Sequence, residues 1–225
     1  MGCILCCYRD AMRLYYSAQP RPGLVFLDFI LCVIYTIQVY LLVSTAMALL
    51  DIIQHPDPRL SLRGQTVAAV DDTVKRLVTD MFETHYAQEN CAALAATQLD
   101  TSRFSTLPPL RITVIDFSET KDQPLCLINP EIISKEGETN TPEGCMSIAG
   151  VLAPVRRAAR IEVTALDESG RPLRFHADGF LAKCIQHELD HLDGVLFLQR
   201  LSKVKQKLLR QKLIRQSKWL PPVRD

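Results

Sequence analysis

The chain lacks the features that mark several familiar classes of protein. Its 26 lysines and arginines nearly balance 25 aspartates and glutamates, so the net charge of +1 gives no reason to expect nucleic-acid binding. Its eight cysteines lack the dense, regular spacing of a disulfide scaffold, and no internal repeat or low-complexity segment appears. The 225 residues therefore predict one globular domain of about 170 residues with appendages.

The most informative run that is present is His187-Glu188-Leu189-Asp190-His191. Two histidines four residues apart project from one face of a helix, where both can bind the same divalent metal. Glu188 then lies beside a water on that metal and can shuttle its proton. Taken alone, the pentapeptide also fits two exposed histidines and a solvated glutamate on an ordinary helix.

The residues around this motif predict a largely buried helix. Asp178 is placed to cap the start of the helix, and Gly194 follows the last turn, where a left-handed residue commonly ends a helix. Apolar side chains keep helical spacing at Phe180, Leu181, Cys184, Ile185, Leu189 and Leu192.

A third metal ligand is expected upstream of the motif. After His191 the chain has no His, Glu or Cys, and its only acids are Asp193 and Asp225. The strongest candidate is Cys145, because the glycine before it lets the backbone turn tightly and present a thiolate. Cys184, one turn back on the same helix, is a weaker candidate that fits better in the core. Cys145 alone also fits a small buried hydrophobic residue.

Three runs of the chain resemble, in order, the motifs of the bacterial peptide deformylases. The family patterns are Gly-x-Gly-Leu-Ala-Ala-x-Gln, Glu-Gly-Cys-Leu-Ser and Gln-His-Glu-x-Asp-His-Leu. This chain reads Cys91-Ala92-Ala93-Leu94-Ala95-Ala96-Thr97-Gln98, Glu143-Gly144-Cys145-Met146-Ser147 and Gln186-His187-Glu188-Leu189-Asp190-His191-Leu192. The resemblance covers about residues 47–218 and implies a metal-dependent hydrolase that removes the formyl group from nascent polypeptides beginning with formyl-methionine.

The resemblance also implies a metal and its ligands. Cys145, His187 and His191 would hold Fe(II), the metal usually assigned to the family, and would leave a fourth position for water. Zn, Ni and Co are the other expected occupants. A thiolate ligand requires reducing conditions, so the cytoplasm is the expected location.

Three further residues receive catalytic roles from the resemblance. Glu188 would take the proton of the attacking water and later deliver it to the leaving amine. The side-chain amide of Gln98 and the backbone N–H of Met146 would stabilise the oxyanion that forms when a formamide carbonyl is attacked.

The substrate cleft is where the chain departs from the family pattern. Ala93, Leu94, Lys183 and Cys184 are the expected substrate-binding residues. Ala93 replaces a family glycine, and a positive φ there would cost on the order of 1 kcal/mol. Lys183 stands where the family usually has an apolar residue. It is expected either to extend along the pocket rim or to favour polar or acidic side chains.

The segment at residues 147–152 is also unusual, because it lacks the Pro, Glu and Arg that many active relatives have there. Two alternatives to ordinary deformylation therefore stay open. One is a divergent deformylase-like enzyme with weak activity or another N-acyl-peptide substrate. The other is a non-catalytic protein that binds a metal or the ribosome. Retention of Glu188 argues against the second, since a structural metal site needs no general base.

Hydrophobic periodicity predicts an α+β fold in which antiparallel sheets pack around the metal-binding helix. An amphipathic helix is expected over residues 72–85. A turn at residues 167–170 should join the last two strands. The expected strands cover residues 111–117, 125–128, 131–135, 160–166 and 173–176.

Residues 1–46 form a hydrophobic extension before the expected catalytic domain at residues 47–200. Residues 29–50 carry no formal charge and are long enough to cross a bilayer core of about 30 Å. A membrane anchor, a signal peptide and an extension from a misplaced start codon are the three interpretations. The last is favoured, because the run from Met47 looks like a natural start of the domain. Membrane contact is expected only if the extension is real.

Residues 201–225 are predicted to form a basic C-terminal helix and tail. Between residues 201 and 218 there are seven lysines and arginines and no acid, interleaved with apolar residues. The pattern indicates a basic amphipathic helix, which in bacterial deformylases docks on the ribosome. The alternative is a charged face that only keeps the domain in solution.

Overall fold

The computed structural model describes residues 49–102, 104 and 109–217, all within the unit Met47–Asp225. Predictions that concern residues 1–46 and 218–225 lie outside the described residues. The longer helices are α1 (Asp72–Ala87), α2 (Gly179–Leu192) and α3 (Lys203–Ser217). The strands are β1 (Ala93–Ala95), β2 (Ile112–Ile115), β3 (Leu125–Glu136), β4 (Thr139–Cys145), β5 (Ile148–Arg157), β6 (Arg160–Leu166) and β7 (Pro172–Asp178).

The strands form two antiparallel sheets. A five-stranded sheet has the order β1-β2-β3-β6-β7, and β4 pairs with β5 in a two-stranded sheet. Helix α2 contacts β1, β2, β6 and β7 of the larger sheet. The predicted α+β fold, with antiparallel sheets around the HExxH helix, is confirmed.

Several strand predictions need correction. The two strands expected at 125–128 and 131–135 are one strand, β3, with a register shift between Ile128 and Glu131. The hairpin of β4 and β5 and the short strand β1 were not predicted. Gly150 and Pro154 interrupt the strand signal of β5, and proline is tolerated there because a two-stranded sheet has free edges.

Helix α1 begins as predicted and ends two residues later. Asp71 caps it by accepting hydrogen bonds from the backbone N–H groups of Thr73 and Val74. Its buried face packs against β2 through the first core cluster, which includes Leu77 and Met81. Burial of this apolar face, rather than local helix propensity alone, holds α1 in place.

Helix α2 follows the prediction with two corrections. Asp178 stands at the N-cap but its side chain makes no capping hydrogen bond. Phe180, expected on the apolar face, is 46% exposed. Gly194 has a φ of +71° and ends the helix in the left-handed conformation, as predicted. Both histidines of the motif are nevertheless buried or nearly so, because the rest of the helix packs against the larger sheet.

Helix α3 confirms the predicted C-terminal helix, but its apolar residues do not share one face. Leu209 and Leu213 pack against the second core cluster, which contains Val151 and Val155 of β5. Val204 and Leu208 are exposed. No helix in the described part of the chain is both long and apolar enough to span a membrane.

Candidate active site

Three predicted metal ligands come together where the end of β4 meets α2. The thiol of Cys145 and the imidazoles of His187 and His191 each offer a ligand atom, and these atoms all lie within 4.8 Å of one another. The Sγ of Cys145 is 3.2 Å from Nε2 of His191. The Nε2 atoms of the two histidines are 3.2 Å apart.

The donor chemistry of this group fits a divalent metal. Nδ1 of His187 lies 2.9 Å from Oε2 of Glu143. An ionised carboxylate can only accept, so Nδ1 carries a hydrogen, and the other ring nitrogen, Nε2, is the one that faces Cys145 and His191. Two imidazole nitrogens and a sulfur are the donors preferred by Zn and related transition metals. Cys184, the weaker candidate ligand, is not part of the group.

A buried network of ion pairs contacts the ligand His187. Arg157, 7% exposed, makes two hydrogen bonds to Glu143, at 2.8 and 2.9 Å, and a third to Asp190 at 2.6 Å. Burial opposes ionisation of Glu143, but hydrogen bonds from Arg157 and His187 lower the pKa of its carboxyl to about 2. Glu143 is therefore ionised at neutral pH and can orient the imidazole of His187.

Glu188 has a different environment on the same helix. It is 3% exposed, and its Oε2 atom has no hydrogen-bond partner. Burial raises the pKa of Glu188 to about 7. A carboxylate with a free oxygen and a pKa near neutrality can both accept and return a proton.

Gln98 is held with its amide beside Cys145. It ends a short 3-10 helix that follows β1, and its Oε1 accepts a hydrogen bond from the backbone N–H of Ala95 at 3.0 Å. Its Nε2 donates to Oγ of Ser147 at 3.1 Å and lies 3.4 Å from Sγ of Cys145. The amide N–H groups therefore lie at the edge of the ligand group.

A cleft of about 730 Å³ is lined by Gln98, Glu143, Cys145, His187 and Glu188. Of the predicted substrate-binding residues, Ala93, Lys183 and Cys184 line it, as does Met146. Leu94 does not, because it is fully buried in the first core cluster. Successive side chains of a strand point to opposite faces, so Ala93 faces the cleft while Leu94 faces the core.

Ala93 replaces a family glycine without the backbone strain that a positive φ would cause. Ala93 lies in β1 and is not among the described residues with positive φ. The left-handed position in this loop is Asn90, with a φ of 57°. Burial raises the pKa of both Cys91 and Cys184 to about 12, so these thiols stay protonated at neutral pH.

Lys183 extends along the cleft. Its Nζ donates to the carbonyl oxygen of Pro142 at 3.3 Å and lies 4.4 Å from the centre of the Phe180 ring. The side chain is half-buried, and its amine is held by the carbonyl oxygen of a residue that also lines the cleft.

Four supporting residues were not identified from the sequence. Glu143 and Asp190 lie inside the motifs, but the motifs alone do not indicate that these acids support the ligands. No local pattern pairs Ser147 with Gln98. An acid two residues before Cys145 and another between the histidines were the available signals. No local pattern marks Arg157, because its partners are 14 and 33 residues away.

A buried carboxylate in the same cleft as Cys145 and His187 of a Cys-His-His donor group, on this α+β fold, is typical of a metal-dependent hydrolase. A family model described as polypeptide deformylase matches residues 49–207, and the chain belongs to this family. Peptide deformylases are metal-dependent enzymes that remove N-formyl groups from nascent peptides.

Individual relatives agree with this assignment. Peptide deformylase 1 of Coxiella burnetii is 57% identical over 155 residues, covering 68% of this chain and 88% of the relative. Peptide deformylase of Neisseria gonorrhoeae is 45% identical over 172 residues, covering 76% and 98%. A crystal structure of a peptide deformylase from Legionella pneumophila is similar with a TM-score of 0.69 and 37% identity, covering 76% of this chain and 97% of the other.

Proposed function

We propose that this chain removes the formyl group from nascent polypeptides that begin with formyl-methionine, using a divalent metal held by Cys145, His187 and His191. The observation that carries the proposal is the position of Glu188. Its carboxylate is buried, lines the same cleft as Cys145 and His187, and has one oxygen free of protein partners. A general base with no competing partner is what hydrolysis of an amide requires.

The proposed metal in the cell is Fe(II), with Zn, Ni or Co as other occupants of the same donors. When bound, such a metal lowers the pKa of water and polarises a carbonyl oxygen. A thiolate donor persists only under reducing conditions, so we propose that the protein works in the cytoplasm.

Glu188 has two successive tasks in this proposal. Its carboxylate first removes a proton from the water that attacks the formyl carbon. The protonated carboxyl then gives that proton to the amine nitrogen as the C–N bond breaks. The products are formate and a free amino terminus. A pKa of about 7 suits both tasks, because neither the acid nor the base form is strongly favoured near neutrality.

Gln98 and Met146 are proposed to stabilise the oxyanion. Nε2 of Gln98 lies 3.4 Å from Sγ of Cys145, so its N–H groups are close to the donor atoms. The backbone of Met146 is held by a hydrogen bond from Gln54 to its carbonyl oxygen at 3.1 Å. Donors fixed before the reaction need no reorganisation as negative charge develops.

The test is release of formate from a formyl-Met tripeptide by the anaerobic, Fe(II)-loaded protein, with the N-acetylated peptide as a matched control. We expect turnover of the formyl peptide and little of the acetyl peptide. Turnover of the acetyl peptide alone would favour another N-acyl-peptide substrate, and turnover of neither would contradict the proposal.

Helix α3 is proposed to contact the ribosome through its exposed lysines, which include Lys203, Lys205 and Lys207. The support is positive charge with no acid on the helix, which attracts RNA phosphates. Co-sedimentation with ribosomes should therefore weaken as salt is raised, and binding that is independent of salt would contradict this.

Membrane contact is proposed only for a form that carries residues 1–46, which immunoblotting of membrane fractions would test.

A further inference from the structure

The C-terminal helix reaches the substrate cleft. Lys212 of α3 lines the same cleft as Glu188 and His187, and its Nζ donates to the carbonyl oxygen of Gly150 at 3.4 Å. Leu209 and Leu213, which flank Lys212, pack against the core cluster that contains β5. This apolar contact fixes the helix beside the cleft, so the position of Lys212 follows from packing rather than from its own weak hydrogen bond.

A second lysine lines the cleft from α2. Lys183 donates to the carbonyl oxygen of Pro142 in β4, while Lys212 donates to Gly150 in β5. The two strands pair with each other. An ammonium group has three donors, so each lysine keeps further N–H groups for a ligand after binding one carbonyl.

The buried charges of the cleft are negative, whereas the accessible charges at its rim are positive. Its two acids, Glu143 and Glu188, are 4% and 3% exposed, and Glu143 is already paired with Arg157. The accessible charges are Lys183 and Lys212. Neither forms an ion pair with any of the residues that the structure describes. The rim is therefore positive and available to an anionic partner.

We propose that Lys183 and Lys212 make the enzyme prefer formylated peptides that carry an acidic side chain at residues 2 to 4. This inference rests on the proposed function, because it takes the cleft to be the peptide-binding groove. Lys183 stands one helical turn, about 5.4 Å, before His187. An extended peptide covers that distance in about two residues, so an acidic side chain soon after the formyl-methionine reaches the lysines.

The test compares C-terminally amidated formyl-Met peptides that differ at one position. Asp, Asn or Lys is placed in turn at residue 2, 3 or 4, and kcat and KM are measured at low and high salt. We expect the Asp peptide to exceed the Lys peptide in kcat/KM by about 2- to 10-fold at the best position. The difference should lie mainly in KM and shrink at high salt.

Substitutions test whether Lys183 and Lys212 cause the preference for acidic peptides. Lys183→Met/Lys212→Met should bring the Asp-to-Lys ratio close to one, and Lys212→Met alone should lower it. Lys75→Met is the control, because Lys75 is an exposed lysine of helix α1 that does not line the cleft. It should keep the wild-type ratio.

Two outcomes separate this inference from the proposed function. Equal kcat/KM for the Asp and Lys peptides, with the Asn peptide still processed, would overturn the inference and leave deformylation standing. Absence of turnover for every peptide would contradict the proposed function. In that case the affinities of dye-labelled Asp, Asn and Lys peptides would be measured at equilibrium. Equal affinities would overturn the inference.

Discussion

Nδ1 of His187 donates a hydrogen bond to Oε2 of Glu143 at 2.9 Å, and the same carboxylate is held by Arg157. This contact determines which nitrogen of His187 keeps its hydrogen and which is free to bind a metal. Partners of this kind fix the orientation of an imidazole ligand and increase its basicity. The affinity for metal should therefore depend on a residue that does not touch the metal.

Glu143→Gln is expected to weaken metal binding by about 10- to 100-fold, because the amide lacks the charge that orients and polarises His187. Competition with a chromophoric chelator measures the affinity. Glu138→Gln is the control, since Glu138 is an exposed acid close to the same strand and should leave affinity unchanged. Equal affinities for the Glu143→Gln protein and the wild type would contradict the orienting role.

Arg157→Met is expected to destabilise the protein by about 3–5 kcal/mol, because the buried carboxylate of Glu143 loses the arginine that makes two hydrogen bonds to it, and Asp190 loses one of its two arginine partners. Urea unfolding measures the free energy. Arg156→Met is the matched control, since the side chain of Arg156 is 77% exposed and its ion pair with Glu138 is long, at 3.8 Å. The control should change stability by less than about 0.5 kcal/mol. Similar losses in the two variants would disprove the supporting role of Arg157.

Gln98→Leu is expected to lower kcat by about 100- to 1,000-fold, because the oxyanion loses one hydrogen-bond donor. The metal content should stay at the wild-type level. Loss of the bond from Ala95 to Gln98 also weakens the loop, so unfolding is measured on the same preparation. A folded, metal-loaded variant with unchanged kcat would show that Gln98 is only structural.

Gly194→Ala is expected to destabilise the protein more than Gly179→Ala. Both glycines have positive φ, +71° and +52°, so each substitution has a backbone cost of about 1–2 kcal/mol. A Cβ at Gly194 would also clash with the carbonyl oxygen of Ser61, whereas nothing lies within 4 Å of one at Gly179. Urea unfolding of the pair measures the difference, and equal losses would contradict a tight contact at Gly194.

The sequence was most informative where the signal is local. The four-residue spacing of His187 and His191 is enough to place both on one helical face, and the adjacent Glu188 follows from the same periodicity. Cys145 needed the resemblance as well, because it is 42 residues before His187 and no local pattern joins them. The structure brings all three donor atoms within 4.8 Å.

Contacts between residues that are far apart in the sequence could not be predicted from local sequence patterns. Arg157 is one of several arginines in the chain, and only the pairing of β4 with β5 brings it to Glu143. The side chain of Leu94 lies in the core and not at the cleft, because the facing of a strand residue depends on register, and a shift by one residue reverses it. Lys212 was counted only as part of a basic helix, since its place at the cleft depends on the packing of Leu209 and Leu213.

The most direct test of the central claim is turnover of a formyl-Met peptide by the Fe(II)-loaded Glu188→Ala protein, with bound metal measured in the same sample. The metal content should equal that of the wild type, because Glu188 is not one of the three donors. Turnover should fall by about 100-fold or more, because the carboxylate that is proposed to accept the proton of the attacking water is removed. Wild-type turnover by a fully metal-loaded variant would show that Glu188 is not the general base.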